Sequence, residues 1–309
     1  MSFSGQAKQE ITEHRLQRNC CKLAAAYAIA CFARNFDSNG LVLYTEMQSI
    51  AEYAKWLYRQ MGIEGEILQK GTSSSPSYEF EVKEPTQIEK MLKLFDCTGK
   101  EASLRINSKN ICCSYCTGAF LGAAFLCSGT MSDPNKDYHL EFTSSRQMLA
   151  KDLEGILAEH QFRPKRTLRK GLSVIYIKAS EQIEDLLTLM GATTSSLKLM
   201  NVKVYRDIRN KANRITNCET ANIDKTVAAN LKSIQAIQYL KHCGAWELQT
   251  EQLRHAGELR LQWPDLSLAQ LAEKFDPPIS KSGLNHRLRK LEAIAASIQE
   301  REQNGESKS

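Results

Sequence analysis

The residues of this sequence best suited to chemistry are its ten cysteines. Cys113 and Cys116 form a CxxC pair, and Cys20 and Cys21 are adjacent. A structural zinc site needs four ligands, usually from two spaced pairs, and adjacent cysteines are poorly spaced for chelation. The first residues lack a basic start followed by an apolar core, so we expect no signal peptide and reduced thiols. We therefore predict buried free thiols, with no metal ion and no cofactor.

The uncharged segment 111–131, ICCSYCTGAFLGAAFLCSGTM, stands out because a quarter of all residues are charged. It just reaches the length of a membrane helix, about 20 residues. Three glycines and several hydroxyl side chains lower its hydropathy, however, and no second span follows. We therefore favour a helix buried on both sides over a membrane span or a cysteine metal site.

The sequence pattern indicates an internal duplication over residues 15–195. A small-residue segment begins each copy, and alternating strands and amphipathic helices follow in the same order, which predicts a pseudo-two-fold domain with a repeat of roughly ninety residues. The predicted elements are 18–36, 41–45, 46–61, 65–69, 78–82 and 84–95 in the first copy, and 111–131, 138–143, 146–160, 167–170, 172–178 and 181–190 in the second.

Small residues four positions apart occur in both small-residue helices. Ala24 and Ala28 lie on one face of the first helix, and Gly118 and Gly122 lie on one face of the second. Because small side chains let helix backbones approach closely, we expect these two stripes to form the contact between the helices.

With these features, the chain resembles the LAGLIDADG homing-endonuclease fold and, more narrowly, the WhiA family, in which a degenerate LAGLIDADG domain precedes a helix-turn-helix domain. The resemblance covers nearly the whole chain. It implies an α+β fold, a pseudo-two-fold αββαββα duplication followed by an all-α helix-turn-helix domain, with one more strand per copy than the pattern predicts. The matching motifs are MSFSGQAKQEI, the CC before each small-residue helix, AAFLCSGTMSDP, YHLEF, NRITNCETANIDKTVAA and AGELRLQWPDLSLAQLAEKFDPPISKSGLNHRLRKLEAIA.

We predict four segments from this resemblance and from the composition. They are a LAGLIDADG-like domain over residues 1–200 with halves 1–98 and 99–200, a linker over 201–230, a helix-turn-helix domain over 231–300 and a disordered tail over 301–309.

Two interpretations of the predicted linker remain open. Its basic residues Arg209, Lys211 and Arg214 either contact nucleic acid or lie on an exposed helix face. The polar residues that follow favour side-chain capping in a structured turn; they are Asn217, Thr220, Asn222 and Asp224.

The acids needed for nuclease activity are missing from the expected positions. A LAGLIDADG nuclease places a carboxylate at the end of each central helix, where metal ions bridge the scissile phosphate. Aligned on the helix ends, this chain has Ala33 and Ser128. Asp37 and Asp133 follow in turn-like sequences, where aspartate commonly caps the backbone. We therefore predict no catalytic residue and no enzyme activity.

A basic hairpin is predicted in the second copy, where RPKRTLRKG carries five basic residues and no acid. Such a ribbon could supply phosphate contacts, although charge on an edge strand also guards against aggregation. The predicted DNA-binding residues here are Arg163, Lys165, Arg166, Arg169 and Lys170.

The C-terminal segment shows the pattern of a helix-turn-helix. Ser267 caps a first helix to Lys274, the two prolines of FDPPI end it, and Ser280 or Ser282 caps a second helix. Leu284, Leu288 and Leu291 face the core, as should Trp246 and Trp263. We predict Asn285, His286 and Arg289 for base edges, and Lys281, Arg287 and Lys290 for phosphates, with Ser282 in the same interface. His286 could instead be an ordinary exposed histidine.

The sequence therefore favours a non-enzymatic, sequence-specific DNA-binding transcription regulator. A formal net charge of +6 and a pI near 8.7 are compatible with double-stranded DNA as the partner. The family resemblance implies a link to cell division or sporulation, with other regulators or RNA polymerase as further partners. We expect a cytoplasmic, nucleoid-associated monomer without membrane contact. The alternative is a nucleoid or protein-interaction scaffold that binds DNA without sequence choice, and an active homing endonuclease is less favoured.

Overall fold

The computed structural model describes residues 1–72 and 75–306. It divides into two compact units, Met1–Asp207 and Ile208–Ser309. The first unit contains α1 (Phe3–Glu13), α2 (Asn19–Phe32), β1 (Asn35–Asp37), β2 (Gly40–Thr45), α3 (Gln48–Gln60), β3 (Glu66–Thr72), β4 (Ser75–Val82), α4 (Pro85–Leu94), α5 (Cys116–Ser128), β5 (Gly129–Met131), β6 (Leu140–Ser144), α6 (Gln147–Glu159), β7 (Lys165–Arg169), β8 (Leu172–Ile177), α7 (Ser180–Leu189) and the start of α8 (Thr193–His242). The second unit contains the rest of α8 with α9 (Glu251–Gln262), α10 (Leu268–Ala272) and α11 (Lys281–Glu306).

The two small-residue helices, α2 and α5, pack against each other along the centre of the first unit. Both are almost entirely buried, and aromatic side chains fill the space beside them: Tyr27 packs on Phe120, and Phe125 packs on Phe142 of β6. The segment from residue 111 is therefore uncharged because protein surrounds most of its helix. In the described part of the chain, no helix combines the length and hydropathy that crossing a bilayer requires.

The glycines of α5 serve a different contact from the one predicted. A Cβ atom on Gly118 would lie 2.3 Å from the carbonyl oxygen of Leu189, and one on Gly122 would lie 3.0 Å from that of Met190. The two glycines therefore allow the end of α7 to approach α5 closely. Our expectation that they form the contact with α2 was wrong. Ala24 and Ala28 are fully buried in the core that includes both central helices.

Two four-stranded antiparallel sheets confirm the duplication. Their strand orders, β1-β2-β4-β3 and β5-β6-β8-β7, are equivalent. The additional strand of each copy is β1 or β5, only three residues long and directly after a central helix. Three residues are too few to show an alternating pattern. Residues 35–36 and 129–131 were therefore included in the longer predicted segments 18–36 and 111–131. The α+β duplication followed by helices is therefore confirmed.

The predicted linker lies inside the 50-residue helix α8, and the division between the units falls at Asp207 within it. The predicted turn at Asn217, Thr220, Asn222 and Asp224 is wrong, because all four residues are helical. Backbone hydrogen bonds prevail here over local capping by polar side chains.

The predicted disordered tail is helical over residues 301–306, because α11 continues to Glu306, while residues 307–309 lie outside the described residues.

The second unit has its own core, to which Leu284, Leu288 and Leu291 of α11 contribute as predicted. Trp246 also belongs to this core. Trp263 does not, since it is 42% exposed and lies beneath the Lys274 side chain, with Nζ 5.2 Å from the ring centroid. The prediction that both tryptophans are buried was therefore wrong for Trp263.

Cysteines from the two halves meet at the N-terminal ends of the central helices. The Sγ atoms of Cys20, Cys21, Cys113 and Cys116 all lie within 4.8 Å of one another. The adjacent pair therefore lies close to the CxxC pair, although we had considered its spacing unsuitable for chelation.

Candidate nucleic-acid interface

Two helices of the second unit, α10 and α11, form the predicted helix-turn-helix. Ser267 begins α10 with a capping box, in which its side chain and that of Gln270 satisfy each other's backbone amides. The Ser280 hydroxyl oxygen accepts a hydrogen bond from the Gly283 amide at 3.1 Å and begins α11. Phe275, which lies between the two helices in sequence, is buried and anchors their connection to the core. The start of α11 is therefore fixed by both capping and packing.

Two side chains that the sequence did not single out fix the turn before α10. Arg260 is fully buried, and its Nη1 donates to the carbonyl oxygen of Leu266 at 2.7 Å. Asn230 Nδ2 donates to the carbonyl oxygen of Pro264 at 3.0 Å and to that of Leu266 at 3.3 Å. Burial lowers the pKa of Arg260, but a guanidinium stays charged in proteins. These bonds position the first helix of the motif relative to α8 and α9.

One face of α11 presents polar and basic groups to solvent. Lys281, His286, Arg289 and Lys290 are exposed, and Asn285 is half-buried at the edge of the same face. Among the described residues, no carboxylate lies within ion-pairing distance of Lys281, Arg289 or Lys290. Exposed Ser282 lies beside them in the first turn. This face has the free donors that phosphates and base edges require.

Arg287 is separate from that face. Its guanidinium lies over the Phe275 ring at 5.6 Å from the centroid, and it is half-buried. It lines a surface cavity of about 510 Å³ together with Glu251 and Glu258 of α9. The predicted phosphate contact of Arg287 would therefore come from the flank of α11.

The basic hairpin distributes its charges over both faces of the second sheet. We call the face opposite the core the outer face. Lys165 pairs across the strands with Tyr176, which also pairs with Glu141, so these three residues share the outer face. Arg169 reaches the same face, where its Nη2 donates to Glu141 Oε1 at 2.7 Å.

Arg166 points the other way, since its Nε donates to Glu154 of helix α6 at 2.7 Å. Arg163 precedes β7 and is exposed, and Lys170 occupies the hairpin turn with φ +50°, followed by Gly171 at φ +79°. Among the described residues, Arg163, Lys165 and Lys170 therefore have no ion-pairing acid, while Arg169 lies on the outer face paired with Glu141.

Glu141 is the acidic centre of this outer face. Burial raises its pKa, but hydrogen bonds from His139 and Arg169 outweigh that effect and hold the pKa below the usual value. The His139 ring also stacks on Tyr176, with centroids 5.4 Å apart. The carboxylate is thus ionised and neutralised locally, which leaves Lys165 without a matching acid among the described residues.

The equivalent face of the first sheet is more acidic. Glu66, Glu79 and Glu81 share it by register, and the last two are over nine-tenths buried. Lys70 pairs with Glu79, while Lys83 pairs with Glu81 at 2.6 Å. Its basic groups are therefore already neutralised, and this sheet offers less to a phosphate backbone than the second.

Basic side chains occupy the ends of the central helices. Arg146 is half-buried, and its Nη1 donates to the carbonyl oxygens of Cys31 at 2.6 Å and Ala33 at 3.2 Å, at the end of α2. Lys8 Nζ donates to the carbonyl oxygen of Leu126 at 3.2 Å, at the end of α5. Burial lowers the pKa of both groups. Such cations suit helix C-termini and oppose the binding of a divalent metal ion.

The two nearby aspartates act in turns, as predicted. Asp37 Oδ1 accepts a hydrogen bond from the Asn39 amide at 2.7 Å, and Asp133 Oδ1 accepts one from the Asn135 amide at 2.9 Å. The Asn135 amide holds the pKa of Asp133 below its usual value. Both carboxylates therefore have a structural role in their own loops.

Comparison with known proteins places these features in one family. A family model described as the WhiA LAGLIDADG-like domain matches residues 117–209, and one described as the WhiA C-terminal HTH domain matches residues 212–295. A protein from Caldicellulosiruptor saccharolyticus named probable cell division protein WhiA is 34% identical over 311 residues, 96% of each chain. The chain belongs to the WhiA family. A relative of the same name from Thermoanaerobacter pseudethanolicus is 35% identical over 97% of this chain and 99% of its own.

Solved structures show that this chain has the WhiA fold. Full-length DUF199/WhiA from Thermatoga maritima matches with a TM-score of 0.60 at 18% identity, covering 96% of this chain and 99% of that one. The N-terminal LAGLIDADG domain of DUF199/WhiA matches with a TM-score of 0.50 at 14% identity, covering 62% of this chain and 90% of that one.

Proposed function

We propose that this WhiA-family chain is a sequence-specific, double-stranded DNA-binding transcription regulator linked to cell division, and to sporulation in organisms that sporulate. The observation that carries the proposal is the solvent-facing side of α11, where Lys281, Arg289 and Lys290 lack a neutralising acid among the described residues. The names of the relatives support the link to cell division. The family match over residues 212–295 supports DNA as the partner.

In this mechanism the N-terminal half of α11 enters the major groove. Arg289 can donate two hydrogen bonds to a guanine edge, and Asn285 can donate one hydrogen bond to an adenine edge and accept one from it, while His286 contacts a neighbouring base. Lys281, Lys290 and Arg287 hold the flanking phosphates, which set the register without reading sequence. Ser282 lies at the first turn, where short hydroxyl side chains reach the backbone or a base.

Selection from fragmented genomic DNA tests this directly. The chain should recover a restricted set of fragments that share one motif, because base contacts favour a specific site by typically 10³- to 10⁷-fold over other DNA. Recovery of all fragments in proportion to their length would support a nucleoid scaffold instead and would contradict the proposal.

We also propose that the second sheet strengthens DNA binding through its outer face. Changing Lys165 and Arg169 together to alanine should make the plot of log affinity against log salt shallower by about 0.9 for each phosphate that the variant no longer neutralises. Arg166→Ala is the matched control, because Arg166 faces α6 on the other side of the same strand. Fluorescence titrations at several salt concentrations measure the slopes. Equal slopes for the double variant and the wild type would show that the hairpin does not contact DNA phosphates, which would contradict this proposal.

We further propose that the chain does not cleave DNA. Ala33 and Ser128 stand where the nuclease needs carboxylates, and Arg146 and Lys8 bind the carbonyl ends of the same helices. Supercoiled plasmid should stay intact with pure protein and Mg²⁺ or Mn²⁺. Metal-dependent nicking that Asp133→Asn abolishes would show that a displaced acid has taken over catalysis.

Regarding partners, we propose a monomer that acts at the nucleoid in the cytoplasm, beside RNA polymerase or other regulators. The outer face of the first sheet suits a protein better than DNA, because its lysines Lys70 and Lys83 are already paired with Glu79 and Glu81. Light scattering should give the mass of one chain, with or without a short duplex, and a dimer mass would contradict the monomer.

A further inference from the structure

A compact group of thiols connects the two halves of the first unit. Cys20 and Cys21 begin α2, whereas Cys113 precedes α5 and Cys116 begins it. The Sγ atom of Cys113 lies 3.7 Å from that of Cys20, 3.8 Å from that of Cys21 and 3.4 Å from that of Cys116. The Sγ atoms of Cys21 and Cys116 are 4.0 Å apart.

These separations fit a tetrahedral metal centre. A zinc–sulfur bond of about 2.3 Å places the sulfurs of a regular tetrahedron about 3.8 Å apart. Four of the six sulfur–sulfur distances, from 3.4 to 4.0 Å, lie around that value, and the other two are within 4.8 Å. A disulfide would require a separation of about 2.05 Å. The side chains therefore need only small movements to coordinate one ion.

We propose that Cys20, Cys21, Cys113 and Cys116 form a structural Zn²⁺ site that joins the two halves of the LAGLIDADG-like domain. On binding, each thiol releases one proton to water, four zinc–sulfur bonds form, and no electron is transferred. Four thiolates satisfy the coordination of a structural zinc ion completely.

The surroundings suit the net negative charge of such a centre. The N-terminal ends of α2 and α5 both meet there, and helix N-termini stabilise negative charge. The Cys116 amide donates a hydrogen bond to the carbonyl oxygen of Cys113 at 2.9 Å, which closes the turn between these two cysteines. Arg18 lies two residues before Cys20 in sequence, and its guanidinium stacks on the ring of Tyr115, the residue before Cys116, at 4.5 Å from the centroid.

Access and burial are also appropriate for a structural ion. Cys21 and Cys116 are buried, and Cys20 and Cys113 are half-buried. A surface cavity of about 460 Å³, lined by Arg15, Arg18 and Tyr115 among others, reaches Cys21. The paired cysteines are 92 to 95 residues apart in sequence. Zinc would thus fasten the halves at the helix ends opposite Ala33 and Ser128.

Metal analysis of the intact chain tests the site. The protein is purified under reducing conditions without chelator, and its zinc is measured by mass spectrometry. We expect about one zinc ion per chain, because one four-cysteine site is complete. Cys113→Ser and Cys116→Ser should each lose most of it. Cys112→Ser should keep it, because exposed Cys112 donates to the carbonyl oxygen of Lys109 instead of joining the cluster.

A second measurement needs no variant and so does not depend on how variants fold. Chelator-treated wild-type chain titrated with Co²⁺ should develop the visible absorption of tetrahedral thiolate coordination, and Zn²⁺ should displace it. Zinc should also raise the melting temperature of the treated chain. Absence of the cobalt spectrum in fully reduced protein, or zinc content unaffected by Cys113→Ser and Cys116→Ser, would overturn the site. Bound iron in place of zinc would overturn the zinc assignment.

Discussion

Replacing Asn285 and Arg289 together with alanine should abolish most of the preference of this chain for its own DNA site. Each bidentate base contact contributes about 1–3 kcal/mol of discrimination. The loss for two such contacts is then about 2–6 kcal/mol, or roughly 30- to 10⁴-fold in affinity. Arg289 is exposed and Asn285 is half-buried at the edge of the same face of α11, whereas Leu284, Leu288 and Leu291 hold the other side of the helix in the core. Titration at one salt concentration measures affinity for the specific duplex and for an unrelated one.

The matched control is Arg301→Ala, which removes an arginine from the same helix. Arg301 is exposed and lies twelve residues beyond Arg289, about 18 Å along the helix axis. This variant should bind the specific duplex as the wild type does. If the double variant instead lost the same fraction of affinity for both duplexes, Asn285 and Arg289 would contact only phosphates, and the assigned readout would be wrong.

The second large effect is on the stability of the first unit. It concerns two helical glycines, one packed tightly against backbone and the other facing open space. Gly118→Ala should destabilise the first unit by about 1–3 kcal/mol or more, because the new Cβ would lie 2.3 Å from the Leu189 carbonyl oxygen. Backbone at that position cannot rotate away as a side chain could. Chemical denaturation followed by circular dichroism gives the free energy of unfolding.

Gly155→Ala is the matched control for this substitution. Gly155 lies within α6, and a Cβ atom added there would meet nothing within 4 Å. Alanine should therefore stabilise the unit by about 1 kcal/mol through helix propensity. Destabilisation by Gly155→Ala, or no effect of Gly118→Ala, would contradict the packing of α5 against the end of α7.

Long elements with a strong pattern could be predicted from the sequence. Ala24, Ala28 and the uncharged segment after Ile111 indicated the two central helices, because an uncharged run of small residues must be buried. Leu284, Leu288 and Leu291 indicated the core face of α11 through their helical spacing. The strands β1 and β5 could not be recognised, because a three-residue strand has no measurable period.

Features that depend on tertiary contacts were beyond the sequence. The pattern of the basic hairpin did not reveal that Arg166 faces α6 while Lys165 and Arg169 share the outer face, since that depends on strand register. Arg260 gave no signal, because an arginine is usually exposed. A cysteine metal site was considered and rejected because Cys20 and Cys21 are adjacent in sequence, whereas the fold brings both of them beside Cys113 and Cys116.

Hydroxyl-radical footprinting on a recovered genomic fragment tests most directly whether this chain reads DNA sequence through α11 without cutting it. The experiment is run with Mg²⁺ at low and at raised salt. We expect one protected site that persists at raised salt, where phosphate-driven binding is weakened, on a fragment that stays uncut. Protection spread along the whole fragment and lost with salt, or cleavage within the site, would contradict the function proposed for this chain.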